Sequence, residues 1–277
     1  MIILLVRSGQ MCNQMLSLAA VYSLGLEYQC NVKCPVIDTE LKKYFAFDEK
    51  VNDGICKVQM YSSKFGNFCT FVAKNAKKVF KLDYNKKFKP EKRGNQYFFN
   101  WISMLDNNVF CNHVSEIRHF FAIRPEIEEK CKDILEREKN SDVITVGVHL
   151  RRGDYRTFRN GELYFDDAVM IRWLKHLSET MESGKSVRFA LCSNEKIDIE
   201  TYKRNGLDVF TPGGSGIEDL CCLSLCDYVM GPPSTFSFWA AMYGNKKRCI
   251  LDDRDKVFNW GDFRYFEERL LEGDYIR

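Results

Sequence analysis

Residues 143–155 read VITVGVHLRRGDY, and the architecture is argued outward from this stretch. Ile144, Val146, Val148 and Leu150 alternate with Thr145, Gly147, His149 and Arg151, the period of two expected of a β-strand with a buried apolar side. His149 and Arg151 therefore leave the strand on one face near its carboxyl end. Arg152, Gly153 and Asp154 follow where a loop must begin. In open α/β sheets ligands gather outside the carboxyl ends of the strands. A guanidinium fork gives phosphate bidentate, charge-assisted hydrogen bonds and does not deprotonate, so this strand end suits a diphosphate. A solvated edge with a surface ion pair to Asp154 is the plain alternative.

Downstream the pattern alternates. A helix begins near Asp166, a good N-cap, and buries Val169, Met170, Trp173, Leu174 and Leu177. Val187–Cys192 is the next strand and Leu207–Phe210 a third. A short helix over Gly216–Cys226, a strand over Asp227–Met230, a helix over Ser234–Tyr243 and a strand over Arg248–Leu251 complete the series, with Gly244 expected just past the helix end. Such alternation predicts parallel strands with crossover helices. Upstream, Ile2–Val6 is a buried strand and Cys12–Leu26 a helix with Met15, Leu18, Ala19, Tyr22 and Leu26 at helical spacing. Val32–Ile37 is a further strand, Leu41–Phe47 a short amphipathic piece, and Tyr97–Trp101 an aromatic cluster. Ile117–Ile123 followed by Arg124-Pro125-Glu126 reads as a helix entry with proline near the first turn. The polar stretch Glu136–Asp142 marks a hinge, giving domains 1–140 and 141–277. The expected fold is α/β, two facing Rossmann-like domains with a central cleft.

Composition narrows the function. With 277 residues, 45% hydrophobic and 29% charged, the chain is an ordinary globular protein. A net charge of +3 gives no reason to expect nucleic acid. No run approaches the length of a membrane span. Twelve cysteines, several inside apolar segments, form no C-x-x-C pair, and there is no N-x-S/T acceptor sequence. These facts fit a reducing cytosol, so a cytoplasmic protein is expected, with peripheral contact at the inner membrane face as an extension. The basic run Lys74–Arg93, opposed only by Asp83 and Glu91, suits an anionic membrane surface or a lipid-linked acceptor, or simply a solvated helix and loop.

Three patches carry a family resemblance. His149-Leu150-Arg151-Arg152-Gly153-Asp154-Tyr155 resembles the first motif of the α-1,2-fucosyltransferases of glycosyltransferase family 11. The shorter H-x-R-R-x-D form is shared with α-1,6- and protein O-fucosyltransferases. Gly9-Gln10-Met11-Cys12-Asn13-Gln14 resembles the family's N-terminal G-x-x-x-N-Q loop, although Ser8 and Met11-Cys12 replace smaller residues. Ser234-Thr235-Phe236-Ser237-Phe238-Trp239-Ala240-Ala241 resembles its C-terminal serine/threonine turn followed by F-x-W-A-A. The segment from Asp219 to Asp227, D-x-x-x-x-S-x-x-D, resembles the nucleotide-reading segment of the α-1,6 enzymes.

The resemblance implies a GT-B-like, inverting, metal-independent transfer of L-fucose from GDP-β-L-fucose to a glycan hydroxyl, with the 2-OH of a galactoside expected. It implies that Ser234, Thr235 and the Phe236 backbone hold the β-phosphate opposite Arg151, that Asp219 reads guanine and that His149 lies near the base. Gly9, Gln10 and Asn13 would line the cleft. Arg152 is expected among the donor contacts, and Ser193 and Asn194 at the ribose. Asp154, then Glu162, are the candidate bases. Asp252-Asp253-Arg254-Asp255 has the D-x-D layout of metal-dependent transferases, but Arg254 partly neutralises it and little chain follows, so no metal is expected. The rivals are a same-fold transferase using another nucleotide sugar and a non-catalytic carbohydrate-binding protein.

Overall fold

The computed structural model describes residues 1–5, 9–47, 57–61, 63–80, 88–89, 91, 94–98, 105–137, 142–181 and 184–272, with 35–40, 60, 61, 63, 74 and 76–80 described through the backbone alone. Arg7, Ser8, Trp101 and half of the Lys74–Arg93 run lie outside the described residues, as does the middle of the polar hinge. Two compact units are present, Met1–Arg124 and Pro125–Arg277.

The first unit holds strands β1 (Ile2–Leu4), β2 (Val32–Asp38), β3 (Val58–Tyr61) and β4 (Gln96–Phe98), with helices α1 (Met11–Glu27), α2 (Ser63–Phe80), α3 (Asn107–Asn112) and α4 (Val114–Phe120). The strands are parallel in the order β3-β2-β1-β4. Helix α1 is buried continuously from Met15 to Gly25, beyond the single stripe that its spacing suggested. It packs against strands β1 and β2 and against α3 and α4, so every side of it meets protein. Tyr22 stacks on Phe120 with centroids 4.4 Å apart, and Phe45, Phe47 and Phe121 close the same aromatic core edge to face.

The second unit begins with α5 (Pro125–Arg137) and continues through β5 (Val143–Leu150), α6 (Asp167–Glu179), β6 (Ser186–Ser193), α7 (Ile199–Arg204), β7 (Asp208–Phe210), α8 (Gly216–Leu225), β8 (Tyr228–Gly231), α9 (Thr235–Gly244), β9 (Lys247–Ile250) and α10 (Phe266–Leu271). Its five strands are all parallel in the order β7-β6-β5-β8-β9, a Rossmann-like sheet with β5 at the centre. Val146, Val148 and Leu150 join the core beneath α6, where Trp173 sits edge-on between Phe165 and Phe258. Gly147 faces the other way, and a Cβ there would stand 2.8 Å from Leu223 of α8. Both faces of β5 are therefore covered.

The division falls ahead of the hinge read near residue 140, because α5 packs on α8 and so belongs with the second sheet. Lys130 on α5 pairs with Glu218 on α8 at 2.5 Å. A smaller difference concerns the end of α9. Gly244 is its last helical residue, and Asn245 takes the left-handed position at φ 52°. Gly244 is needed for contact: a Cβ would lie 1.9 Å from the Ser224 carbonyl.

Candidate active site

The carboxyl ends of β5, β6 and β8 meet at one edge of the second sheet. Register pairs His149 with Cys192 and Leu150 with Ser193, while Val148 lies beside Met230. Because successive residues alternate sides, His149 shares the α8–α9 side of the sheet with Gly147. Its ring lies 4.7 Å from that of Phe236 in the first turn of α9. His149 is buried, and among the described residues its Nδ1 atom has no hydrogen-bond partner. Burial, helped by the positive charges of Arg151 and Arg248, pulls its pKa down to about 3. The imidazole is thus neutral, with an unsatisfied polar atom of the kind that a native structure rarely leaves without a purpose.

Arg151 and Arg152 diverge. The Arg151 guanidinium donates to Asp154 Oδ2 at 2.9 Å and lies 5.5 Å from the centroid of the Tyr155 ring. Tyr155 in turn donates its hydroxyl to the Pro233 carbonyl at 2.8 Å. Arg151 and the Ser234 turn therefore stand at the same edge, joined through one tyrosine. At that turn the Ser234 hydroxyl accepts from Phe236 N at 3.1 Å and caps α9. The open first turn of a helix, with outward N–H groups and the positive dipole end, attracts anions.

Arg152 is buried and turned inward. Its guanidinium pairs with Asp167 and donates to the Tyr202 hydroxyl at 3.3 Å, while Tyr202 donates to Asp167 at 2.5 Å. Arg152 thus braces α6 and α7 instead of presenting itself as a donor contact, and Asp154 pairs with Arg151, not with Arg152. The Arg152 N–H donates to Asn194 Oδ1 at 2.9 Å. Asn194 so fixes the loop after β5, and Gly153 at φ 54° is held there because a Cβ would meet Asn194 Nδ2 at 2.8 Å. Ser193 Oγ accepts from Glu195 N at 3.2 Å. Both residues expected at a ribose thus also have structural duties at the strand end.

Asp219 lies in the first turn of α8, its carbonyl 3.9 Å from the thiol of Cys192, the last but one residue of β6. Burial raises its carboxyl to about 6, against the bond from Cys192 and with a further push from the negative Glu218 beside it. Asp227 sits at the opposite edge, where its carboxylate accepts from Thr145 N at 2.9 Å. The two acids therefore cannot act together. Glu162 is exposed in the loop ahead of α6, and Asp154 is exposed beside Arg151. Gly9 and Gln10 are exposed ahead of α1 in the first unit, and Asn13 is partly covered, its carbonyl accepting from Ser17 at 2.8 Å. Asp252, Asp253 and Asp255 are exposed after β9. Arg254 pairs with Asp166, and Asp253 accepts from Asp255 N at 2.9 Å. Among the described residues no group of three or more histidine, cysteine or acidic side chains is arranged to hold a metal ion.

One residue escaped the sequence reading. Arg248 on β9 is buried, with a guanidinium nitrogen 3.5 Å from both the Ser234 carbonyl and the Ser237 hydroxyl. It places a fixed positive charge under the mouth of α9 and next to His149. Its signal was present in the strand Lys247-Arg248-Cys249-Ile250, where a charge falls in the buried register.

The second unit is thus a Rossmann-like sheet whose central strand ends in a basic loop beside a serine-capped helix. The profile of Glycosyl transferase family 11 matches residues 70–257, and the chain belongs to that family. It is a glycosyltransferase. Among solved structures, the fucosyltransferase NodZ from Bradyrhizobium superposes with a TM-score of 0.58 at 14% identity, covering 91% of this chain and 95% of that one. FUT1 of Arabidopsis thaliana, a mutant form in complex with GDP, gives 0.56 at 12% identity over 91% and 71%. POFUT1 in complex with GDP gives 0.53 at 11% identity over 90% and 98%. These likenesses establish the fold. None of the curated proteins matches by sequence.

Proposed function

We propose that the protein transfers L-fucose from GDP-β-L-fucose to a hydroxyl of a glycan acceptor, with inversion, the 2-OH of a galactoside being the first acceptor to try. The observation that carries this reading is the pairing of Arg151 with the mouth of α9 at one sheet edge, beside the unsatisfied Nδ1 of a neutral His149. NodZ, described as an α-1,6-fucosyltransferase and soaked with GDP-fucose, supports the donor and leaves the linkage open.

Breaking the glycosyl–phosphate bond builds positive charge on the sugar and extra negative charge on the departing diphosphate. In this reading Arg151, the hydroxyls of Ser234 and Thr235 and the first-turn N–H groups of α9 stabilise that departing charge, with Arg248 adding positive potential from below. Ser234 Oγ already engages the Phe236 N–H, so a phosphate oxygen either replaces that bond or uses the neighbouring donors. Asp219, ionised, accepts from guanine N1–H and the exocyclic amine together. His149 Nδ1 finds its partner on the bound nucleotide. Asp154, placed by Arg151, is the first candidate to accept the acceptor's proton and Glu162 the second. The second unit is the nucleotide-sugar domain and the first the acceptor side, where Gly9, Gln10 and Asn13 belong. The described cysteines are free thiols, which suits action in a reducing cytoplasm.

Calorimetry with GDP, GDP-fucose, UDP and ADP, followed by turnover of GDP-fucose with and without EDTA, tests the proposal. Selective GDP affinity and EDTA-resistant transfer are expected. A preference for UDP points to another nucleotide sugar. Absence of any nucleotide affinity leaves a carbohydrate-binding protein, and EDTA-sensitive transfer restores a cation at Asp252–Asp255.

A further inference from the structure

The loop between β5 and α6 is built to hold one aromatic ring outward. Tyr155, Leu163 and Phe165 pass into the core. Arg156 pins the loop by donating to Glu195 at 2.8 Å and to the Tyr164 hydroxyl at 2.9 Å. Between these anchors Arg159, Asn160 and Gly161 stand in succession at φ 47°, 58° and 79°. A left-handed position is costly for a bulky residue such as Arg159, and backbone of this kind gathers at ligand-binding sites. A Cβ at Gly161 would stand 2.9 Å from the Arg156 carbonyl oxygen, closer than a side chain tolerates. Phe158 immediately precedes this turn. It stays 47% exposed, although its ring stacks on Tyr155 with centroids 5.2 Å apart and the Arg159 guanidinium lies 5.7 Å from its centre. Arg151 lies 5.5 Å from the centre of the same Tyr155 ring. Tyr155 thus joins the exposed ring to the cation at the strand end.

A lone exposed phenylalanine is ordinary, so its setting decides. One ring is far too small for a protein interface. Thr157, Arg159, Asn160 and Glu162, all exposed, flank it along the loop with hydrogen-bonding groups. An aromatic face with polar side chains beside it suits a ligand that is apolar on one face and polar at its edge, which describes a pyranose. Polarised C–H bonds approach the negative face of the ring, and hydroxyls meet the polar groups. Among pyranoses a galactoside fits best, because its axial 4-hydroxyl gathers ring C–H bonds on one face. We propose that Phe158 is the platform on which a galactoside acceptor stacks, an acceptor subsite carried by the second unit itself. This rests on the reading of the chain as a fucosyltransferase acting on a glycan, which brings a second sugar to the Arg151 edge.

Saturation-transfer NMR of the full chain with GDP present, using methyl β-D-galactoside and methyl β-D-glucoside as probes, provides the test. Saturation of the galactoside ring protons, weaker for the glucoside, is expected in the wild type and in Phe158→Trp. Phe158→Ala should weaken galactoside binding by about tenfold while leaving the unfolding midpoint and GDP affinity in place. Unchanged galactoside signals in Phe158→Ala overturn the proposal, as does a wild type that saturates neither sugar or both alike. A chain without GDP affinity whose galactoside signal is lost in Phe158→Ala keeps the platform and removes the donor reading. GDP affinity without any sugar signal does the reverse.

Discussion

Two helix mouths in this chain follow parallel strands, and they are prepared to different degrees. At α9, Ser234 caps the helix, two prolines fix the preceding turn, Tyr155 bonds to Pro233 and Arg248 lies underneath. At α1, Gln10 occupies the cap position without a side-chain cap bond, and Gly9 and Gln10 face solvent. Donors fixed before a ligand arrives need no reorganisation when charge develops. A mouth that must order itself loses part of its binding energy in doing so. The comparison favours α9 for the departing diphosphate and α1 for a looser contact.

The largest expected effect breaks the comparison most directly. Arg151→Ala should lower kcat/KM for fucosyl transfer by about 10²–10³-fold, whereas Gln10→Ala should change it by about twofold at most. Equal losses would erase the distinction between the two mouths. The neighbouring Arg152 should fail differently. Arg152→Ala leaves Asp167 with Tyr202 but without its positive charge and should cost about 2–3 kcal/mol of unfolding free energy, below the about 3–5 kcal/mol of fully buried pairs because Asp167 is a third exposed. Urea unfolding measures this, and a variant of unchanged midpoint would refute the bracing role.

Acid sharpens the picture. Burial raises the Asp219 carboxyl to about 6 in the folded chain, and in the proposed reading guanine needs its ionised form. GDP affinity should therefore fall below pH 6 by up to about tenfold per unit, and Asp219→Asn should bind more weakly with a flat profile. His149 acts on stability. Its pKa is lowered from 6.5 to about 3, so the unfolded chain takes up the proton first and stability is lost as pH falls from 6.5 toward 3. Relative to His149→Gln, the wild type should lose up to about 1.4 kcal/mol per unit across that window. The smallest effect is Ser234→Ala, which should cost about 1 kcal/mol of stability together with some GDP affinity. An equal cost from Gln10→Ala would show that α1 is capped after all.

The second sheet was legible because its strands alternate clearly and its helices begin at recognisable caps, Asp166 and Ser234 among them. Apolar periodicity also located the α6 face that buries Trp173. The first sheet was harder. Strands β3 and β4 are short and carry Gln59 and Gln96, and α2 inverts the usual pattern by packing Gly66 and Ala73 inward while Phe68 and Phe71 face out. The carboxyl edge of β5 could be placed from its motif, but the fates of its two arginines could not. Asp167 and Tyr202 reach Arg152 only through tertiary packing, and nothing local in R-R-G-D says which guanidinium turns inward. Arg248 was hidden for the same reason, since its neighbours Ser234 and Ser237 belong to another element. The domain boundary moved because the attachment of α5 to α8 depends on contacts such as Lys130–Glu218, far apart along the chain.

The Tyr155–Pro233 bond joins residues 78 positions apart, and this bears on how the chain is made. Strand β5 leaves the ribosome well before β8, its parallel neighbour, and such distant pairing is slow to form. Until α9 has emerged, a nascent chain displays Arg151 with nothing opposite it. A product truncated between Tyr155 and Pro233 therefore holds the signature motif intact and only half of the cradle.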